Sequence, residues 1–127
     1  GRNDYGQLGD GTSAHRAYPV QIMTGVQAIA AGGWHSMFIR NDSTAWAVGR
    51  NDFGQLGDGT TISRQAPVLV ASDVRSIGAG HFYSTVVRAD GTLRAAGQFD
   101  SGLPRNEANW SILEDFNESE VRKMSLP

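Results

Sequence analysis

Twelve residues, Gly1-Arg-Asn-Asp-Tyr-Gly-Gln-Leu-Gly-Asp-Gly-Thr12, return as Gly49-Arg-Asn-Asp-Phe-Gly-Gln-Leu-Gly-Asp-Gly-Thr60, an offset of 48 residues. The identity runs past this segment. Pro19-Val20 returns as Pro67-Val68, and Val26, Ile29, Ala31-Gly32 and Ser36 return as Val74, Ile77, Ala79-Gly80 and Ser84. Of the first 48 positions, 23 are identical to their partners. A third copy starts at Gly97 and decays: Asp100 and Gly102 keep their places, while Phe99 stands where Asn3 and Asn51 stood. The chain therefore reads as one unit, residues 1–127, made of repeats 1–48 and 49–96 and a degenerate 97–127. A period of about 40–50 residues belongs either to stacked helix pairs or to four-stranded propeller blades.

Glycine and alternation choose the blade. The chain carries 16 Gly in 127 residues, nearly double the usual share of about 7%. So many backbone positions free to take φ > 0 predict many tight turns and short strands. Within one repeat, Val26–Ala31 is a short run of small and apolar residues, Gly32-Gly33 a turn, and His35–Ile39 a second run. Asn41-Asp-Ser43, matched by Ala89-Asp-Gly91, is a hairpin turn. Thr44–Val48 is a third strand and Pro67–Val70 a fourth, with Pro at its first position as an outer edge strand tolerates. The spacing predicts an all-β chain: a partial β-propeller of about two four-stranded antiparallel blades plus incomplete flanking strands. In strand terms it offers an outer strand at 19–22, a blade over 26–70, a second from 74 to about 114, and an inner strand at 121–126. Residues 113–125 read either as that inner strand or as a short helix capped by Asn117-Glu-Ser-Glu120.

Two features have direct physical readings. Innermost strands crowd around an axis, so Ala and Gly fit where Leu would clash. In the long loop, Gly1, Gly6, Gly9, Gly49, Gly54 and Gly57 permit φ > 0, and Asn3 and Asn51 can form Asx turns. Leu8 and Leu56 can pin the loop to the seam between blades.

The pattern G-x-N-x-x-G-Q-L-G, then P-V, then V-x-x-I-A-A-G-x-x-H-S, then D-G-T, resembles the regulator of chromosome condensation repeat. Residues 1–48 and 49–96 meet it almost in full. The resemblance implies a seven-bladed β-propeller. It implies no single activity, because one scaffold carries many functions. Family members include an exchange factor for a small nuclear GTPase, a plant UV-B photoreceptor, substrate-binding domains of ubiquitin ligases and bacterial β-lactamase inhibitors. Seven such blades need more chain than 127 residues supply. A fragment of a longer propeller, self-assembly of several copies and an open wedge are the expectations that follow. The start at Gly1, without Met or an apolar leader, reads as an excised or processed piece with no visible signal peptide.

The candidate binding residues are Trp34, His35, His81, Phe82 and Tyr83, in the turn after each inner strand. Repetition sets these rings side by side on one face of adjacent blades, the kind of large apolar area that anchors a protein interface. The alternative is that they pack between blades. The resemblance implies interface aromatics at this turn in the inhibitor and light-sensing Trp in the photoreceptor. The photoreceptor's turn places Arg between Trp and His, whereas Trp34 is followed directly by His35.

Other chemistries find little to work with. Asp4 and Asp10 are too few and too widely spaced for a calcium loop. His15, His35 and His81 keep no metal-ligand spacing, so no metal is expected. Gly6-Gln-Leu-Gly9-Asp-Gly11 lacks the Lys-Ser/Thr of a phosphate loop, so no nucleotide cofactor is expected. No Ser sits in a nucleophile elbow. A net charge of −2 argues against a nucleic-acid surface, and no run of about 18 apolar residues could cross a membrane as a helix. With no Cys, disulfides and thiolate chemistry are absent. The expectation is a non-catalytic protein-interaction module whose partner is another protein. Guanine-nucleotide exchange on a small GTPase and β-lactamase-type inhibition stand as alternatives by family analogy.

Overall fold

The computed structural model describes residues 2–98 with their side chains and the backbone of a strand at 107–112. The expectations at Gly1, at 113–125 and at 121–126 lie outside the described residues. Eight strands form: β1 (Val26–Ala31), β2 (His35–Arg40), β3 (Ala45–Gly49), β4 (Arg64–Ala71), β5 (Val74–Ala79), β6 (Tyr83–Arg88), β7 (Leu93–Gly97) and β8 (Glu107–Ile112). They make two four-stranded sheets in the orders β1-β2-β3-β4 and β5-β6-β7-β8. Every neighbouring pair is antiparallel. Each sheet is one blade, and one repeat of sequence separates them.

The registers repeat as the sequence does. Ala31 faces Ser36 and Ala79 faces Ser84, while bulges between Val26 and Ala28 and between Val74 and Ser76 stand at matching positions. The core lies between the sheets. Met37, Ile39, Ala45, Ala47, Leu56, Val74 and Val86 form one buried cluster, with Ile77 packed against it. β5 runs against β1 and β2, so the inner strand of the second blade closes the seam. Backbone bonds cross it as well: Val74 N–H donates to Ser43 O at 2.9 Å and Gly33 N–H to Gly80 O at 3.3 Å.

Two strand expectations need correction. No strand forms at 19–22. That segment corresponds to β4, and β4 exists by pairing with β3; residues 19–22 have no such partner ahead of them among the described residues. Pro67 is the fourth residue of β4, not the first. It falls in the irregular stretch between the pairs Ala47↔Val68 and Gly49↔Arg64, where its missing N–H breaks no ladder bond.

The open flank shows in exposure. Ile29 is 71% exposed, whereas its counterpart Ile77 packs on the core. Leu56 is fully buried, and its counterpart Leu8 is half-buried. The residues are equivalent in sequence, but only Ile77 and Leu56 lie in the seam between the two sheets.

The two repeats also exchange glycines. Gly91 takes φ +85° in the second hairpin and Ser43 takes φ +67° in the first, while Gly25 (+67°) corresponds to Asp73 (+53°). A side chain in the left-handed region costs about 1–2 kcal/mol, offset in part by the entropy glycine loses on folding. Ser43→Gly is therefore expected to stabilise the fold by about 0.5–1 kcal/mol in urea denaturation. Gly91→Ser is expected to destabilise it by a similar amount. Equal stability for wild type and both variants would contradict this account.

Candidate functional site

The long connection from β3 to β4 has few regular backbone bonds, and one buried asparagine supplies the rest. Asn51 is fully buried. Its Nδ2 donates to Thr60 O (3.0 Å) and Ile62 O (3.0 Å), and its Oδ1 accepts the Leu56 N–H (2.9 Å). Asn3 repeats the pattern with Thr12 O (2.9 Å), Ala14 O (2.8 Å) and the Leu8 N–H (2.9 Å). These amides span nine and eleven residues, so they clip a whole loop rather than cap a local Asx turn. The Asx turn belongs to the aspartates. Asp58 Oδ1 accepts from the Thr60 N–H (2.9 Å) and hydroxyl (2.7 Å), and Arg64 holds its other oxygen at 3.0 Å. Burial pushes the Asp58 carboxyl up, yet the bonds from Thr60, Arg64 and Asn51 outweigh it and keep the pKa below its ordinary value. At Asp10 the Thr12 hydroxyl and Arg16 do the same, more strongly.

Gly6, Gly9, Gly54 and Gly57 take φ between +75° and +77°. Gly49, at +116°, also lies so close to the Trp34 carbonyl that a Cβ would come within 2.6 Å of its oxygen. This close approach lets Arg50 N–H donate to Trp34 O (2.9 Å), which fixes the loop to the turn after β1.

That turn sorts its aromatic residues inward and outward. A Cβ on Gly32 would collide with the His35 ring and the Gly80 carbonyl oxygen, and one on Gly80 would collide with the Tyr83 ring. The bare glycines thus leave the space these two rings occupy. His35 and Tyr83 are 1% and 3% exposed. Both belong to the interior, which corrects their place among the candidate binding residues. His35 Nε2 lies 2.8 Å from the Ser84 hydroxyl across the seam. Ser84 gives its one proton to Gln55 O, so His35 must donate from Nε2. Burial, aided by nearby His81 and opposed by a Tyr83 backbone hydrogen bond, pulls the imidazole pKa down to about 4.

Trp34 and Phe82 are half-buried and His81 is exposed. The structure adds four residues that the sequence reading passed over: Arg2, Tyr5, Arg50 and Phe53. Arg50 is forked by Asp52, Nε to Oδ1 and Nη2 to Oδ2, both at 2.7 Å. This pair raises the pKa of Arg50 and lowers that of Asp52. So held, the guanidinium stands 4.9 Å from the Tyr5 ring centre, 5.5 Å from Phe53 and 5.4 Å from Phe82. Arg2, bonded to Asp4 at 2.7 Å, stands 4.9 Å over Trp34. Tyr5 meets Trp34 at 5.7 Å, Phe53 meets Phe82 at 4.9 Å, and His81 meets Phe82 edge-on at 4.6 Å. The result is a continuous row, Arg2–Trp34–Tyr5–Arg50–Phe53–Phe82–His81, crossing both blades on their loop side. One signal could have found it: position 5 stays aromatic in both copies, Tyr5 and Phe53, beside an unchanged Arg.

His15 is exposed and bonded to Asp4 at 2.8 Å. Among the described residues, no three His, Asp or Glu gather into a metal-binding group.

Comparison with known proteins gives the family its name. The family model of the regulator of chromosome condensation (RCC1) repeat matches residues 1–39 and 42–87, and a second model of that repeat matches 26–55. No curated protein matches the sequence. Among solved structures, human WBSCR16 superimposes with a TM-score of 0.73 at 23% identity, over 88% of this chain and 33% of its own. Prp20p from Saccharomyces cerevisiae, studied for its binding to Gsp1p and histones, gives 0.60 at 19% identity, over 73% of this chain and 26% of its own. The same values hold for yeast Prp20 bound to Kap60. The chain thus spans about a third or a quarter of these structures' length, and the likeness shows the fold.

The buried imidazole makes stability depend on pH. The unfolded chain protonates His35 near pH 6.5 and the folded chain near 4. The unfolded state therefore binds more protons between these values. The contribution of His35 is fully present above pH 6.5 and is lost as pH falls toward 4, by about 3 kcal/mol. Denaturant melts across this range should show that slope, and His35→Gln should flatten it. A parallel slope in the variant would assign the acid sensitivity elsewhere. Asn51→Asp sets a buried carboxylate against the carbonyl oxygens of Thr60 and Ile62, and a loss of about 3 kcal/mol or more is expected in the same melts.

Proposed function

Because the chain belongs to the regulator of chromosome condensation repeat family, we propose that it is a non-catalytic protein-interaction module whose partner docks on the row of arginine and aromatic side chains. The observation that carries the proposal is the continuity of the row. Half-buried rings at Trp34, Phe53 and Phe82 are held in fixed orientation by Arg2 and Arg50, which their own aspartates hold in turn. Trp, Tyr and Arg are the residue types that dominate interface energetics; Trp and Tyr offer large area at little ordering cost, and Arg adds a planar fork of hydrogen-bond donors. His35 and Tyr83 support the row from inside, while Trp34, Phe82 and His81 meet the partner. That Prp20p was studied with Gsp1p, histones and Kap60 supports a protein as partner class and does not transfer those partners here.

The test is affinity capture from lysate, then measurement of the purified partner's affinity. Trp34→Ala and Phe82→Ala are each expected to weaken binding at least tenfold, about 1.4 kcal/mol, with an unchanged circular-dichroism spectrum. Undiminished affinity in both variants would remove this face from the interaction.

A further inference from the structure

We infer that Asp90–Gly91 is a modification site: the Asp-Gly bond at which the folded chain rearranges to isoaspartate, and so the bond on which an isoaspartate-specific carboxyl methyltransferase acts. The inference is independent of the protein-binding reading above. The sequence holds three Asp-Gly bonds, each in the same triplet: Asp10-Gly11-Thr12, Asp58-Gly59-Thr60 and Asp90-Gly91-Thr92. Their local chemistry is alike, so a difference between them must come from the fold.

The rearrangement sets the requirements. The Gly nitrogen attacks the carboxyl carbon of the Asp side chain, and the carboxyl OH leaves with the amide proton as water. Water then reopens the cyclic imide. Opening at the former main-chain carbonyl leaves the backbone running through the side chain, one carbon longer. The carboxyl must therefore be protonated and free to turn onto the nitrogen of the next residue. Glycine at that next position has no Cβ to hinder the approach.

At Asp10 and Asp58 the fold denies that freedom. Asp58 Oδ1 accepts from the Thr60 N–H, the Thr60 hydroxyl and Asn51 Nδ2, while Arg64 holds Oδ2. Thr12 and Arg16 hold the two oxygens of Asp10 in the same way. These two side chains are 7% and 10% exposed. Asp90 differs. Its Oδ1 accepts from the Thr92 N–H at 2.9 Å and the Thr92 hydroxyl at 2.7 Å, but among the described residues no hydrogen bond fixes Oδ2. Asp90 and Gly91 both lie exposed in the turn between β6 and β7. The first hairpin carries Ser43 at the place of Gly91, and its side chain hinders the same attack at Asp42. Thr92 is thus the restraint on Asp90. Its bonds favour the ionised carboxylate, which does not react, and point Oδ1 past Gly91 toward the residue beyond. The cost of rearrangement falls on the hairpin, because the extra carbon enters where the Gly91 N–H donates to Arg88 O and the Arg88 N–H to Thr92 O, both at 2.9 Å.

The test incubates the 127-residue chain in warm neutral buffer, once folded and once in guanidinium chloride. Isoaspartate is then labelled with a purified isoaspartate methyltransferase and radioactive S-adenosylmethionine, and located by peptide mapping. The folded chain should gain label at Asp90 ahead of Asp10 and Asp58, and the denatured chain should gain it at all three alike. Thr92→Val should raise the folded-state rate at Asp90 about fivefold, the effect of losing one ordinary hydrogen bond. Thr92→Ser, which keeps the hydroxyl, should stay near the wild-type rate. Label at Asp10 or Asp58 as fast as at Asp90 in the folded chain, no label at Asp90 in the folded chain, or unequal labelling in the denatured chain would each overturn the inference. So would a wild-type rate in Thr92→Val. A rise at all three sites in that variant would mark unfolding, and the order of labelling in the folded wild type then decides.

Discussion

One buried side-chain amide per repeat decides where the arginine–aromatic row lies. The chain must pass from the third strand of a blade to its outer strand without strand pairing on the way. Asn51 bonds the carbonyls of Thr60 and Ile62 and receives the Leu56 N–H, which closes that passage into a fixed loop. Once the loop is closed, its parts have no freedom to be elsewhere. Leu56 enters the seam, Gln55 O reaches Ser84, and Arg50, Asp52 and Phe53 come to the surface beside Phe82. Asn3 does the same for the first loop and brings Arg2 and Tyr5 beside Trp34. Loops usually vary in conformation more than the elements they join. Here a hydrogen-bond network inside the loop gives it the definition of a strand.

The architecture was largely legible in the sequence, because it is written in spacing. Period-two runs, glycine turns and a 48-residue repeat locate the four strands of the first blade to within a few residues and bound the second at 74 to about 114. The misses have a common cause: a strand or a burial state needs a neighbour, and a local pattern does not say whether the neighbour is there. Residues 19–22 have the composition of β4 without the partner strand that makes β4. Leu8 and Leu56 sit in identical sequence and differ in burial for the same reason.

The site was legible only by half. Trp34 and Phe82 stood out as repeated aromatics, and the structure places them on the row. His35 and Tyr83 looked equivalent to them. Their inward turn depends on Gly32 and Gly80, three residues earlier, whose missing side chains make the room. Arg2 and Arg50 were passed over, since nothing in a linear string shows a guanidinium lying against aromatic rings. Tyr5 and Phe53 were hidden inside a segment explained by its glycines, asparagines and leucines alone.

The seam between the blades joins through a histidine on one side and a serine on the other, while the matching interior position of the second blade holds Tyr83. Protonating His35 would place a buried cation in the seam, where its Nε2 already bonds the Ser84 hydroxyl. The ladders of β1–β4 and β5–β8 contain no ionisable side chain in their hydrogen bonds and would be left as they are. Acid would therefore strike first at the wall the two sheets share, the same seam that Arg50 bridges at the surface from Tyr5 to Phe82.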